Sequence, residues 1–230
     1  MGSELQITVL GGLGEIGMNC LALEYQDEIV LVDCGLQFTD LDEFGVDYVI
    51  PDFSVLSERK DRIKAFIITH VHEDHIGALT FAFKKGLRAP IYCSEFTSCL
   101  VKERLKDRGV GLATADIHIV EHGGTVELGH FSFQFIPVNH SIVEASALII
   151  QTPIGKIVHT GDFRIDPEPF YGKPMSLEPF QKAGDEGVLM LLSDSTNVER
   201  LSTGPAESIV SENFEEILVS AQGTVIVTLF

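Results

Sequence analysis

The segment THVHEDH, residues 69–75, places three histidines and two carboxylates close together at the end of an apolar stretch. Imidazole and carboxylate groups are ligands that zinc and other first-row divalent cations prefer. Alternate residues of an extended chain point the same way, so His70 and His72 can face one cation while Asp74 and His75 face a second. A chance surface cluster is the alternative, but the buried strand predicted before the segment argues against it. The segment therefore predicts a two-metal site at a strand end.

Two further candidate ligands lie at the ends of later predicted strands. His140 follows the stretch Phe131–Pro137, and Asp162 follows the stretch Lys156–Thr160 in a Thr-Gly-Asp turn. A single histidine or aspartate in such a place usually has a structural role, which is the alternative for each. Strand ends on one edge of a sandwich can converge on one cleft, so we expect both side chains to join the first segment. The remaining histidines lack ligand spacing and are expected in structural, turn or surface roles.

Strand patterns dominate the chain, and helical patterns lie between them. Apolar or alternating stretches bounded by turn residues predict strands at Gln6–Leu10, Cys20–Tyr25, Glu28–Val32, Lys64–Thr69, Ile91–Cys93, Ile117–Val120, Thr125–Leu128, Phe131–Pro137, Ala147–Thr152, Lys156–Thr160, Val188–Leu192 (buried) and Thr224–Phe230. Helical spacing predicts helices at Ile76–Lys85, Glu95–Arg108 and Ser208–Ala221, and Pro205, shortly before the last of these, suits the first turn of a helix. This order favours a mixed α/β sandwich, with helices on the outer faces of two sheets.

Length and composition indicate a globular protein. The 230 residues are 45% hydrophobic and 22% charged, which suits one large domain or one and a part. No apolar run approaches the roughly 18 residues of a membrane span, and the N-terminal residues do not resemble a signal peptide. The four cysteines form no CxxC pair, so we expect reduced core residues. These features predict a cytoplasmic protein without a membrane partner.

The net charge of −18, from 34 acidic and 16 basic residues, is opposite in sign to that of a typical nucleic-acid-binding module. A solvated acidic surface that keeps the protein soluble explains it equally well. Because bound metal ions add local positive charge, the acidic balance counts against a nucleic-acid partner without excluding one.

The order of THVHEDH, a later histidine and a later aspartate, each after a strand, resembles the metallo-β-lactamase superfamily. The resemblance covers nearly the whole chain and implies an αββα sandwich with two metal ions in the cleft between the sheets. It implies that one ion is held by His70, His72 and His140, that the other is held by Asp74 and His75, and that Asp162 bridges both. Zn²⁺ is the implied metal at both positions, with Mn²⁺ or Mg²⁺ as alternatives.

More discriminating motifs resemble the β-CASP branch of this superfamily and, within it, the ribonuclease J family. The matching motifs are GGLGEIGMNC (11–20), VDCGLQF (32–38), THVHEDHIGAL (69–79), PVNHSI (137–142), HTGDFRID (159–166) and LLSDSTNVER (191–200). The chain departs from the usual pattern at Val71 (usually glycine), at Val143-Glu144-Ala145 (usually Pro-Asp-Ser) and at Leu201–Ser208 (usually Thr-Pro-Ser-Glu). These departures leave the predicted metal ligands intact.

The resemblance implies a metal-dependent ribonuclease that acts on RNA as an endonuclease and a 5′-to-3′ exonuclease. Phosphodiester hydrolysis would use a hydroxide that two metal ions activate, oriented by the catalytic residues Asp74 and Asp162. One alternative is a hydrolase of small esters, thioesters or lactams, which the charge favours. A second alternative is a non-catalytic subunit of an RNA-processing complex, against which the full set of ligands argues. A homo-oligomer of the full-length form is left open.

The resemblance also divides the chain. Residues 1–207 would be the N-terminal part of a metallo-β-lactamase-like domain, and residues 208–230 would start a truncated β-CASP-like domain. The second metal ion would need one more histidine from downstream, and no histidine follows His159. We therefore expect a sandwich that is incomplete at its C-terminus, binds the second metal ion poorly and turns over slowly if at all.

Residues 12–17 (GLGEIG) fit the dinucleotide-binding pattern GxGxxG, and Asp33 lies where such a site places an acidic residue. That site needs a helix at the third glycine, whereas residues 19–25 alternate like a strand. We therefore expect no dinucleotide partner. The resemblance instead implies that Asp33 lies behind the metal-binding histidines and accepts a ring N–H there. It also implies that Asp194 lines the cleft without binding metal.

Overall fold

Strands and helices alternate through the part of the chain that the computed structural model describes, residues 4–39, 44–111, 115–201 and 206–228. The strands are β1 (Leu5–Gly11), β2 (Cys20–Tyr25), β3 (Glu28–Val32), β4 (Gln37–Phe38), β5 (Tyr48–Val49), β6 (Ile63–Ile67), β7 (Ile91–Cys93), β8 (Ile117–Ile119), β9 (Thr125–Leu128), β10 (Phe131–Pro137), β11 (Ser146–Thr152), β12 (Gly155–His159) and β13 (Met190–Leu192). The helices are α1 (Glu73–Ile76), α2 (Leu79–Lys84), α3 (Glu95–Asp107), α4 (Glu178–Glu186) and α5 (Glu207–Ser220), with a 3-10 helix at Phe53–Arg62. Within these residues, no helix is both long enough and apolar enough to cross a membrane.

Two sheets form the centre of the molecule. Their strand orders are β1-β2-β3-β6-β7-β8 and β13-β12-β11-β10-β9, while β4 and β5 form a small separate ribbon. In the first sheet β3 and β6 are parallel neighbours, so their C-terminal ends reach the same edge. In the second sheet β10 and β12 both lie antiparallel to β11, so they also end at a common edge. These four strand ends supply the loops of the candidate site.

Alternation along the strands divides the core into layers. In β3, Val30 and Val32 pack between the two sheets, whereas Ile29 and Leu31 pack with apolar residues of α1, α2 and α3. The strand β11 alternates in the same way between the inter-sheet core and a third cluster that includes Ala183 of α4. Each fully buried aliphatic side chain contributes about 1.5–3 kcal/mol. The result is an αββα sandwich, which confirms the predicted fold class.

The predicted helix Ile76–Lys85 is wrong as a single helix. Most of the other predicted strands and helices form, with bounds that shift by one or two residues. The chain forms α1, which starts directly after His72, and then α2, which starts at Leu79. In a continuous helix the carbonyl of Asp74 would accept from the N–H of Ala78. Here Asp74 accepts from the Asn19 N–H (2.9 Å). The Ala78 N–H donates to the Cys34 carbonyl (2.9 Å). Tertiary hydrogen bonds therefore replace helical ones at this point.

The C-terminal strand predictions need two corrections. The predicted buried strand Val188–Leu192 is shorter and exposed, because β13 is the edge strand beside β12 and Leu191 is 62% exposed. The predicted strand Thr224–Phe230 does not form over residues 224–228, while residues 229–230 and Pro205 lie outside the described part of the chain. A strand needs a partner for its backbone groups, which β-branched composition alone does not provide.

All four cysteines are free thiols. Cys20, Cys34 and Cys93 are buried in the core, as expected. Cys99 lies on α3 and is exposed, so the expectation of a core position is wrong for this residue.

Candidate metal centre

The candidate site lies where the ends of the two sheets meet. His70 follows β6, His140 follows β10, and Asp162 follows β12. The Ser146 N–H donates to the Thr69 carbonyl (3.0 Å), which ties the start of β11 to the loop after β6. This inter-sheet hydrogen bond places the three loops beside one another.

His70, His72 and His140 direct one ring nitrogen each toward a common point. His72 Nδ1 lies 3.1 Å from His70 Nε2 and 3.1 Å from His140 Nε2. A tetrahedral site with zinc–nitrogen bonds of about 2.0–2.1 Å has ligand–ligand distances of about 3.3–3.4 Å. The spacing and chemistry of these three nitrogens therefore fit one zinc ion.

Asp162 lies between this group and a second one. Its Oδ2 is 3.7 Å from His140 Nε2 and 4.0 Å from His70 Nε2. Its Oδ1 is 3.4 Å from His75 Nε2. Asp74 Oδ2 lies 3.6 Å from the same nitrogen. The structure thus brings all six predicted ligands together, with the two oxygens of Asp162 directed toward different halves of the cluster.

Two buried side chains support the histidines from behind. Asp33 Oδ2 lies 2.8 Å from His75 Nδ1, and it also accepts from the Thr69 hydroxyl (2.8 Å). Asp33 Oδ1 accepts from the Thr69 N–H (2.8 Å). The Thr69 hydroxyl is in turn 3.0 Å from His70 Nδ1. Such contacts fix the orientation and the tautomer of a metal-binding imidazole.

Burial keeps three of the histidines neutral. Desolvation is the main cause that holds the pKa of His70 well below its usual value, with further lowering by neighbouring histidines. Desolvation also lowers the pKa of His72, and it lowers the pKa of His140 to about 4. A neutral imidazole has a free lone pair for a metal ion, so these rings are ready to bind at neutral pH without releasing a proton.

His75 behaves differently because two carboxylates flank its ring. Burial would lower its pKa, but the charges and hydrogen bonds of Asp33 and Asp162 outweigh burial and raise the pKa to about 10. Burial would raise the pKa of Asp162, and the hydrogen bond and charge of His75 instead lower it. In the ion-free protein, a proton on His75 therefore supplies the positive charge that a metal ion would supply in this half of the cluster.

An open cleft of about 660 Å³ lies over the second half of the cluster. The glycine-rich loop 11–17 and the loop 193–200 line its walls, together with Asp74, His75 and Asp162. Asp194 lies in this lining, where its N–H donates to the Thr160 hydroxyl (2.9 Å) and its side chain accepts from the Thr196 N–H (2.8 Å). These hydrogen bonds hold the loop 193–200 beside the cleft.

The loop 12–17 lies between two antiparallel strands, β1 and β2. Within the described residues 4–39, no helix opens after Gly17. The βαβ arrangement in which a dinucleotide phosphate binds to a helix N-terminus is therefore not the context of this glycine pattern.

Thr69 and Asn19 are polar residues at the centre that sequence reasoning missed. Thr69 could have been noticed as a polar residue directly between a buried strand and the first histidine. Asn19 precedes β2 and is far in sequence from Asp74 and His75, yet its Nδ2 lies 3.2 Å from Asp74 Oδ2 and 3.1 Å from His75 Nε2. Spacing along the chain gives no signal for such a contact.

The histidines that lack ligand spacing have other partners. His118 stacks on Tyr92 with ring centroids 4.8 Å apart, and His130 Nδ1 lies 2.7 Å from Glu28 Oε2. His159 Nδ1 accepts from the Gly161 N–H (3.0 Å), which shapes the turn that leads to Asp162. His122 is exposed in the turn after β8. These positions agree with the structural and surface roles expected for them.

Comparisons with known proteins agree with this architecture. The sequence model of the family described as "Beta-lactamase superfamily domain" matches residues 28–175. Ribonuclease J of Helicobacter pylori (strain ATCC 700392 / 26695) is 41% identical over 228 residues, which cover 99% of this chain and 33% of that protein. Ribonuclease J 1 of Streptococcus pyogenes serotype M3 is 40% identical over 228 residues, which cover 99% of this chain and 40% of that protein. The chain thus spans 33% and 40% of the length of these two relatives.

A solved structure shows the same fold. A protein of unknown function from Enterococcus faecalis V583 aligns with a TM-score of 0.61 at 17% identity, over 94% of this chain and 57% of that one. The sandwich, the histidine–aspartate cluster at its edge and the match over well over half of the chain lead to one assignment. The chain belongs to the beta-lactamase superfamily, in its metallo-β-lactamase form.

Proposed function

We propose that this chain is the nuclease core of a metal-dependent ribonuclease similar to ribonuclease J, with endonuclease and 5′-to-3′ exonuclease activity on RNA. The observation that carries the proposal is the position of Asp162. One of its oxygens faces His140 and His70, and the other faces His75. A carboxylate placed between two groups of ligands can serve two neighbouring cations, which is the arrangement that a two-metal hydrolase uses.

The proposed ligands divide into two groups. His70, His72 and His140 would hold one cation, Asp74 and His75 would hold the other, and Asp162 would contribute to both. The three nitrogens of the first group favour Zn²⁺, while the second group also suits Mn²⁺ or Mg²⁺ because it offers more oxygen. Two such cations lower the pKa of a water molecule and neutralise charge on the bond that is cut.

Asp74 and Asp162 are the proposed catalytic residues, because both carboxylates border the open cleft. Each can accept a hydrogen bond from an attacking water and so orient that water toward a phosphodiester. Asp33 and Thr69 lie behind the histidines and hold their rings, so their proposed role is to position these rings rather than to contact substrate. Asp194 borders the cleft from the loop 193–200, and we propose that it lines the substrate path without binding metal.

RNA is the proposed substrate because relatives that match nearly the whole chain are named ribonuclease J. The net charge of −18 is the observation that favours a small ester, thioester or lactam instead. The clustered ligands His70, His72 and His140, with Asp162 beside them, favour a working metal site over a non-catalytic subunit. The relatives' names favour neither alternative.

Three smaller proposals accompany this function. The four free thiols fit a reducing compartment, so we propose that the protein acts in the cytoplasm. The antiparallel pairing of β1 and β2 supports the absence of a dinucleotide partner. The domain boundary between residues 207 and 208 and the homo-oligomer remain predictions.

An RNA cleavage assay on the complete protein tests the proposal. The substrate is a 5′-monophosphorylated RNA, incubated with and without a chelator, and a chromogenic lactam and a thioester serve as competing substrates. We expect mononucleotides and internal fragments that disappear with chelator and with His140→Ala. The matched control is His118→Ala, which removes a surface histidine outside the cluster. RNA cleavage that survives both the chelator and His140→Ala would contradict the metal site, and hydrolysis of the small substrates alone would favour the first alternative.

A further inference from the structure

The side-chain amide of Asn19 lies between Asp74 and His75, at the opening of the cleft. We propose that Asn19 is a positioning residue for the second half of the metal centre: it donates to Asp74 and holds this carboxylate beside His75 in readiness for a cation. The proposal rests on the metal site assigned above. It assigns a role to a residue outside the predicted set of ligands.

The backbone fixes the position of Asn19 independently of its side chain. Its N–H donates to the Asp74 carbonyl (2.9 Å), and its carbonyl accepts from the Gly35 N–H (2.8 Å). The preceding residue, Met18, has a left-handed backbone (φ 56°), which turns the chain toward the cleft. Because these contacts are made by the main chain, removal of the Asn19 side chain leaves the loop anchored to Asp74.

The glycine-rich loop packs against the amide of Asn19. A Cβ atom at Gly12 would lie 2.5 Å from Asn19 Oδ1, so the loop packs closely against the amide oxygen. Gly12 also has φ +84°, a conformation that favours glycine. The NH₂ group lies toward Asp74 Oδ2 (3.2 Å). This orientation is the one that a carboxylate acceptor requires.

Asp74 is held from the cleft side, whereas two of the histidines are held from inside the protein. Asp33 and Thr69 hold His75 and His70 from inside the protein. Asp74 has 29% of its side chain exposed, and the amide of Asn19 is the donor that restrains it at the cleft. Without the amide the carboxylate can rotate away from His75. Binding of the second cation would then have to order the carboxylate again, which weakens the affinity for this cation.

The arrangement predicts a loss that is confined to one ion. Removing a side chain that supports a metal ligand typically weakens metal binding by about 10–100-fold. Asn19 contacts Asp74 and His75, whereas the nitrogens of the other group face one another. Asn19→Ala should therefore weaken the second Zn²⁺ by about 10–100-fold and leave the first within about twofold.

Competition titration of the complete protein with Zn²⁺ and a chelator of known affinity gives both dissociation constants. Asn213→Ala, which removes an exposed amide from α5, is the matched control and should change neither constant. An unchanged or tighter second constant in Asn19→Ala would overturn the proposal, as would equal weakening of both ions. A wild-type protein that binds fewer than two ions would instead refute the metal site itself, so the two failures are distinguishable.

A second measurement follows the Asn19 side chain in the wild-type protein. Selective ¹⁵N-asparagine labelling reports on the side-chain NH₂ of Asn19, which is assigned by its absence in Asn19→Ala. We expect this resonance to stay in place with the first equivalent of Zn²⁺ and to shift with the second. A resonance that is unmoved by both equivalents would contradict the contact with Asp74.

Discussion

Asp33 Oδ2 lies 2.8 Å from His75 Nδ1, and both side chains are buried behind the candidate metal centre. Asp33 has a left-handed backbone (φ 58°), which asparagine tolerates better than most residues. Asp33→Asn therefore removes the charge while it keeps the shape and the backbone.

We expect Asp33→Asn to lower the pKa of His75 from about 10, because the charge of Asp33 opposes the effect of burial on this ring. Histidine NMR titration of the ion-free protein measures the change, and the signal of exposed His130 serves as the internal control. A His75 pKa that stays near 10 in the variant would show that Asp162 alone accounts for the shift.

Stability of the ion-free protein should fall as the pH drops below the ordinary histidine range. The pKa of His140 is about 4 in the folded protein, below its ordinary value of 6.5, and those of His70 and His72 are lowered too. Below pH 6.5 the unfolded state binds more protons at these groups, so acid favours unfolding. The contribution of these histidines to the free energy of unfolding is complete above pH 6.5 and is lost progressively as the pH falls toward 4.

His140 alone should account for a loss on the order of 3 kcal/mol over this window. Urea denaturation of metal-free protein at several pH values measures it. A His140→Asn variant should show a shallower dependence, whereas a variant with the wild-type slope would exclude His140 as a cause.

Gly35→Ala tests the close approach between the loop after β3 and the metal-binding segment. A Cβ atom at Gly35 would overlap the backbone carbonyl of Asp74. Because main-chain atoms cannot rotate away, we expect destabilisation of about 3 kcal/mol or more in urea denaturation. The matched control is Gly184→Ala on α4, where nothing lies within 4 Å of an added Cβ. This control should stabilise the protein by about 0.5–1 kcal/mol, and equal effects of the two substitutions would contradict the argument.

Sequence patterns predicted the sandwich because its strands alternate between two apolar layers, as β3 and β11 do. The histidines and acidic residues that follow strands likewise pointed to the cleft, since strand ends set where polar loops can lie. The ligand positions followed from this rule, and their roles remain a proposal. The apolar stretch 188–192 was misjudged because composition predicts a strand but not how much of it another layer covers.

Other elements gave no clear pattern in the sequence. The helix α4 begins next to Pro179 and contains Gly184, and of its residues Ala183 is buried. The segment at residues 76–85 keeps a helical pattern, but contacts with Cys34 and Asn19 divide it into α1 and α2. The support of Asp74 by Asn19 joins residues 55 positions apart, which no local pattern encodes.

Asp162→Ala tests the bridging position directly. Its side chain is 27% exposed, and its oxygens face His140 and His70 on one side and His75 on the other. Because few apolar contacts depend on this partly exposed carboxylate, we expect the variant to stay folded. Loss of the shared ligand should release the more weakly held cation during dialysis and reduce RNA hydrolysis by about 10³-fold.

Metal analysis, circular dichroism and single-turnover RNA cleavage on the complete protein measure these three effects together. Asp185→Ala, which removes an exposed carboxylate from α4, is the matched control and should retain both metal content and rate. The role of Asp162 depends on its contact with both groups of ligands. Wild-type turnover in Asp162→Ala with both metal ions retained would therefore refute the bridge, since neither group alone would then need this carboxylate.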